Sequence, residues 1–279
     1  MNILTFDLED WYCHDNISRD FAWEKRECRI YEGVDRILDE LSVRNQKGTF
    51  FCLGWLAEHH PDIIKKISNQ GHQIGCHSYQ HELASRFDRD GFKQDTEKAQ
   101  KCIEDAIGQK VDLFRAPAFS ITAQNKYAFE VLYELEFTTD CSIFPTTRDD
   151  GGMPNYGYAQ PSIIEYEGCS LKEFPMSLGK IMGREICYSG GGYFRLLPYW
   201  LIKHFTATND YNMGYFHPSD FDPEQPRMKH LPLRNQIKNA IGLRTAFGKF
   251  KHYLDDFEFI NIEEADKIID WGEAKHICL

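Results

Sequence analysis

The chain has 279 residues, of which 42% are hydrophobic, 27% charged and 14% aromatic, and its net charge is −11. This composition excludes a disordered or fibrous chain and is ample for a sizeable packed core. The acidic balance argues against a nucleic-acid or anionic-membrane partner, either of which would need a basic face, but is indifferent to a sugar-like one.

Nine scattered cysteines with no C-x-x-C pair point to reduced thiols rather than a disulfide framework or a thiolate zinc site. No basic segment followed by an apolar stretch opens the chain, and no apolar run approaches ~20 residues. A cytoplasmic protein with no membrane span is therefore expected.

Extended and helical signals alternate along the chain. Asn2–Asp7 reads as a strand, and Ile30, Val34, Ile37, Leu38 and Leu41 recur at helical spacing, giving a helix over about 30–44. Thr49–Gly54 is a short apolar run typical of a buried strand. Pro61 opens a helix that Gly71 closes, Gln73–His77 is the next strand, and Phe92–Ile107 is an amphipathic helix stopped by Gly108. Val111–Arg115 reads as a strand, Thr122 caps a helix to about Leu135, and Thr138–Ile143 is strand-like.

Ile163–Pro175 alternates about Gly168 as an inserted hairpin. A helix over Leu197–Thr206, a strand over Tyr211–His217 and a tail of two helical stretches around Phe257–Ile260 complete the pattern. Strands alternating with helices imply an α/β fold with a parallel sheet or barrel. One domain over residues 1–279 is expected, with about 231–279 as a C-terminal extension packed on it.

In such folds chemistry collects at the C-terminal ends of strands. Asp7-Leu8-Glu9-Asp10, His77 to His81, Arg115 to Phe119, Asp140 to Ser142 and His217-Pro218 all fall there. His77 and His81 are four apart, so one helical turn would turn both imidazoles to one side, and with a carboxylate they would suit a divalent metal with open coordination positions. His59 and His60, at a helix entry, read as surface residues.

Six motifs, DLEDWY, HSYQH, RAPAFS, DCSIFP, GGGYFR and HPSDFD, occur in order from residue 7 to residue 222. Together they resemble the polysaccharide deacetylase family (carbohydrate esterase family four), in its intracellular-type branch with a D-x-E-D-W first motif and a C-terminal extension. The resemblance implies a distorted (β/α) barrel of seven strands and a metal-dependent hydrolase, with zinc first among the divalent ions. The substrate implied is an N-acetylated amino sugar in a polysaccharide or in its lipid- or nucleotide-linked precursor. Asp7 corresponds to the catalytic base, His77 and His81 to metal ligands, Arg115 to the arginine that pairs with the base, and His217 to the general acid.

In well-known members of the family the base and the carboxylate ligand are adjacent, but here Leu8 follows Asp7. Strand alternation puts Glu9 on the side of Asp7, so Glu9 is assigned as ligand with Asp10 the alternative. Ala118 stands where many members have tyrosine and offers only its backbone N–H to an oxyanion. Asp140 is available to orient His217 or bind substrate, and Tyr193 and Arg195 are expected substrate contacts. Hydrolysis of another C–N bond, or carbohydrate binding without turnover, are the alternatives.

Overall fold

The computed structural model describes residues 1–13, 22–226 and 232–279. In chain order the elements are β1 (Asn2–Leu8), α1 (Ile30–Val43), β2 (Thr49–Cys52), α2 (Gly54–His59), α3 (Pro61–Asn69), β3 (Gln73–Cys76), α4 (Arg89–Ile107), β4 (Leu113–Phe114), α5 (Tyr127–Glu134) and β5 (Thr139–Asp140). There follow β6 (Ser162–Tyr166), β7 (Cys169–Glu173), β8 (Gly179–Ile181), β9 (Arg184–Ile186), α6 (Gly191–Leu196), α7 (Tyr199–Thr208), β10 (Asn212–Phe216), α8 (Leu233–Ala240), α9 (Leu243–Asp256), α10 (Ile262–Ile268) and β11 (Lys275–Cys278). The chain divides into two compact units, Met1–Phe50 with Gly179–Ile262 and Phe51–Leu178 with Glu263–Leu279.

In the first unit β1 runs parallel to β10, from Asn2 opposite Asn212 to Phe6 opposite Phe216. The apolar face of α1, led by Ile30, Val34, Ile37, Leu38 and Leu41, is buried as its spacing requires. An aromatic core joins strand to helix: Phe6 stacks on Phe50 at 4.6 Å, and Phe250 of α9 lies 5.3 Å from Phe216 and 4.7 Å from Phe221. Gly33 of α1 allows the 3-10 turn Pro218–Phe221 to approach so closely that a Cβ there would lie 2.1 Å from the Pro218 carbonyl oxygen. Gly191–Leu196 is a short helix that begins within the glycines of the GGGYFR segment, Gly190–Arg195.

In the second unit β3, β4, β5 and β7 pair parallel in that order, β7 pairs antiparallel with β6, and β11 runs parallel to β6. The expected hairpin is present, with Glu167 (φ 46°) and Gly168 (φ 82°) in the left-handed region that a tight two-residue turn requires. Its second strand continues the sheet beside β5. Helix α5 starts at Tyr127 and not at Thr122, because the Asn125 side chain accepts from both the amide and the hydroxyl of Thr122 and holds the preceding residues as a turn. The α/β class and the mostly parallel pairing are as expected. Strand β11, whose four residues are exposed or half-buried, gave no apolar signal.

Candidate functional site

Alternation along β1 buries Leu8 in the core and brings Asp7 to the other side, with Glu9 just past the strand. Both carboxylates are about 1% exposed. Strand β10, paired beside β1, delivers His217 at its end, and Asp7, Glu9 and His217 each offer one ligand atom within 4.8 Å of the others.

The imidazole of His217 is held from both sides. Its Nδ1 lies 3.1 Å from Asp220 Oδ2, its Nε2 lies 2.9 Å from the Tyr215 hydroxyl, and Glu9 Oε1 is 4.0 Å from Nε2. The same Asp220 oxygen accepts the His217 backbone N–H at 2.9 Å, because the His-Pro turn closes as a capping box. A carboxylate can only accept, so Nδ1 carries a proton.

Burial works against a charge on His217, but the bond to Asp220 and the carboxylates of Glu9, Asp220 and Asp7 outweigh it and raise the pKa to about 9. Burial likewise opposes the charge on Asp220, yet Arg195 and His217 pull its pKa down to about 2. Arg195 Nε lies 3.2 Å from Asp220 Oδ1.

Asp10, the alternative carboxylate, is occupied elsewhere. Its Oδ1 accepts from Trp11 N at 2.7 Å, and its Oδ2 accepts from Arg29 N at 2.7 Å and Ile30 N at 3.0 Å. It therefore caps the start of α1 from twenty residues away. Burial lifts its pKa to about 6 despite these bonds. Arg29 in turn grips Asp222 with two bonds of 2.6 and 3.0 Å, fixing the far end of HPSDFD.

In the second unit His77 follows β3, and its backbone N–H continues the ladder to Cys52 O at 2.9 Å. No helical turn joins His77 to His81. Ser78 (φ 68°) and His81 (φ 59°) occupy the left-handed region instead, and this loop sets the two buried rings 5.4 Å apart, centroid to centroid. The loop is pinned by Ser78 Oγ accepting from His81 N, by Gly54 N and Trp55 N donating to the carbonyls of Ser78 and Tyr79, and by Tyr79 N donating to Asp95. His77 Nδ1 lies 2.7 Å from the Arg115 carbonyl. A carbonyl only accepts, so Nδ1 bears a hydrogen and Nε2 is the ring atom that could serve as a metal ligand.

Arg115 is fully buried. Its Nε donates to Cys141 O at 3.3 Å and its guanidinium lies 4.1 Å from the Phe51 ring centre. Ala118 sits in the tight turn Pro117–Phe119 at φ 52°. Asp140 is wholly buried, accepts from Ser142 Oγ at 2.6 Å and bonds Glu173, its neighbour across β5 and β7. Burial pushes both of these carboxyls up, Glu173 well above the usual carboxylate range. The side chain that orients His217 is Asp220, which sequence reasoning did not single out; its position three after His217 in a His-Pro-x-Asp turn is the signal that would have found it. Tyr193 is half-exposed on α6, whereas Arg195 on the same helix is turned inward.

Residues 11–139 match the family model described as polysaccharide deacetylase, and residues 141–267 match a domain of unknown function (DUF3473). A peptidoglycan-N-acetylglucosamine deacetylase from Bacillus cereus is 36% identical over 100 residues, 36% of this chain and 36% of the relative. The peptidoglycan-N-acetylmuramic acid deacetylase PdaA of Bacillus subtilis is 28% identical over 82 residues, 29% of this chain and 31% of the relative. The chain thus spans about a third of the length of the curated relatives it matches.

Among solved structures, one described as a candidate polysaccharide deacetylase from Mycobacterium smegmatis superposes with a TM-score of 0.66 at 19% identity, over 99% of this chain and 92% of the other. A carbohydrate esterase family four pseudoenzyme from Bacillus anthracis gives 0.51 at 15% identity, over 100% and 69%. At these identities the likeness is one of fold. His77, His81, Arg115 and Ala118 lie inside the first matched region and His217, Asp220 and Arg195 inside the second. Residues 11–139 thus carry the likeness to the polysaccharide deacetylase family, on a chain with the fold of that family's structures.

Proposed function

We propose that the protein is a metal-dependent N-deacetylase that removes acetyl groups from an amino sugar in a polysaccharide or in its lipid- or nucleotide-linked precursor. The observation that carries this reading is the convergence of Asp7, Glu9 and His217 within 4.8 Å, a proton acceptor beside a proton donor whose far nitrogen is locked by Asp220. The likeness of residues 11–139 to the deacetylase family supports the substrate class. Nine free thiols support a reducing compartment, the cytoplasm. Among the described residues no helix is long and apolar enough to cross a membrane.

The donor set suits a divalent cation, zinc first. His77 offers Nε2 as a ligand atom, and two imidazoles with one carboxylate leave coordination open. Glu9, His77 and His81 would hold the ion. Once bound, it would polarise the acetyl carbonyl and make water easier to deprotonate.

Asp7 takes a proton from water as the water oxygen bonds to the acetyl carbon. Arg115 corresponds to the arginine that partners the base in the family the chain resembles. The Ala118 N–H receives the carbonyl oxygen as negative charge develops on it. The C–N bond then breaks, its electrons pass to nitrogen, and His217 Nε2 gives that nitrogen a proton, leaving a free amine and acetic acid, which loses its proton to solvent to become acetate. Asp7 ends with one proton more and His217 with one fewer, so exchange with solvent resets both. Tyr193, half-exposed on α6, would meet the sugar.

Acetate release from N-acetylglucosamine oligomers, measured with zinc or cobalt loaded, tests the reading. Release of at least one acetate per oligomer is expected. Cleavage confined to cyclic ureides would replace it with another C–N hydrolase, and sugar binding with no release from any acetylated sugar would replace it with a binding protein.

A further inference from the structure

Arg195 was expected to meet substrate, yet its guanidinium is buried and committed to protein groups. Nε lies 3.2 Å from Asp220 Oδ1, and Nη1 donates to the Asn239 carbonyl of α8 at 2.9 Å. Its backbone is fixed as firmly as its side chain. The Arg195 carbonyl accepts from Lys249 Nζ at 3.1 Å, together with the carbonyls of Phe194 and Leu197 at 2.8 and 2.7 Å, so one lysine of α9 closes the C-terminal end of α6. Gly242, at φ 72° between α8 and α9, lies so near that a Cβ there would be 2.7 Å from the Arg195 oxygen.

Asp220 therefore has one oxygen on Arg195 and the other on both the ring and the backbone of His217. A buried carboxylate that serves one imidazole from a fixed position is itself held by a fixed cation. We infer that Arg195 is a positioning residue for proton donation: through Asp220 it aims Nε2 of His217 at the leaving nitrogen, and the region matched to a domain of unknown function exists in part to hold that arginine. This rests on the deacetylase reading above.

The inference makes a distinction that simple buttressing would not. An amide nitrogen leaves only when protonated, whereas an aryl oxide leaves without help, so misdirecting the donor should damage amide turnover selectively. Zinc-loaded wild type, Arg195→Ala and Arg195→Lys are compared on an N-acetylglucosamine oligomer and on an aryl acetate ester, with bound zinc measured for each. Arg195→Ala is expected to lose about 100-fold in kcat on the amide and less than about 3-fold on the ester, at unchanged zinc content, in line with the usual worth of a positioned acid.

Added guanidinium ion should restore part of the amide rate of Arg195→Ala, and Arg195→Lys, which keeps a cation but not the planar fork, should lie between. Equal losses on amide and ester in the lysine variant, or no rescue with both substrates equally impaired, would overturn the inference and leave Arg195 as a structural ion pair. An alanine variant as active on the amide as wild type would overturn it also. A wild type that hydrolyses the ester and no acetylated sugar would instead bring down the deacetylase reading, and the inference with it.

Discussion

Asp7 and Glu9 in the first unit ride on and just past a strand whose two-residue period turns Leu8 into the core, and the Glu9 N–H bonds back to the Asp7 carbonyl at 2.9 Å. His77 and His81 in the second unit are brought together by a loop that forces Ser78 and His81 into the left-handed region, at a cost of about 1 kcal/mol each. The stabilising forces differ too. Charge holds the first group, with Arg195, Asp220 and His217 in series and Arg29 on Asp222. Backbone holds the second, through the Arg115 carbonyl on His77 and the Cys52, Ser78 and Tyr79 carbonyls along the loop. Groups held by charge should respond to pH, and groups held by backbone should respond to changes in shape.

The largest test of that contrast is His81→Ala. Bound zinc is expected to fall below about a tenth of an equivalent and acetate release by roughly 10³-fold or more, because an open catalytic site has few ligands to spare. Chelation of the wild type should do the same and zinc should reverse it. An intact zinc content, read by elemental analysis, would remove His81 from the ligand set.

Next comes the charge-held side. Folding raises the His217 pKa from 6.5 to about 9, so its charged form contributes stability that is fully present below 6.5 and is lost as pH rises through about 9. Histidine proton resonances of the metal-free protein should follow that titration, and Asp220→Asn should move it towards the usual range. The alkaline limb of activity should move the same way. A midpoint near 6.5 in the wild type would show that the carboxylates around His217 do not govern it.

Gly33→Ala sets a methyl against the Pro218 carbonyl behind His217, and thermal unfolding should show a loss of about 1–3 kcal/mol typical of overpacking. Little change in midpoint would mean that α1 shifts easily. Smallest of all, Asp10→Asn removes one acceptor of backbone N–H bonds at the start of α1 and should cost about 1 kcal/mol with zinc content unchanged. Zinc lost from this variant would return Asp10 to the metal.

What could be read from the sequence follows the same division. Helices with repeating apolar faces, such as α1 and α4 with Gly108 in the left-handed C-cap, stand close to where periodicity put them, α4 beginning at Arg89 and not Phe92. The inward turn of Leu8 between Asp7 and Glu9 was legible because a strand has one rule. The path from His77 to His81 was not, since four-residue spacing suggests a helical turn and only tertiary hydrogen bonds select the strained loop. Asp220 was not singled out, and Arg195 was read as a substrate contact, for another reason. A charged residue looks like surface until its partner is known, and Arg195 precedes Asp220 by twenty-five residues. Asp140 gave the opposite error of emphasis, since its neighbours Ser142 and Glu173 absorb it in the core.

The pairing of β1 with β10 bears on any attempt to trim the protein. Residues 11–139 are a segment of sequence likeness, but the edge of β1 is sealed by Asn212–Phe216, which lie far beyond residue 139. A fragment of residues 1–139 would display a row of unpaired amides and carbonyls along a strand that carries Ile3, Leu4, Phe6 and Leu8. Such an edge recruits other strands, so the shortened chain should precipitate or form sheet-rich aggregates when expressed alone.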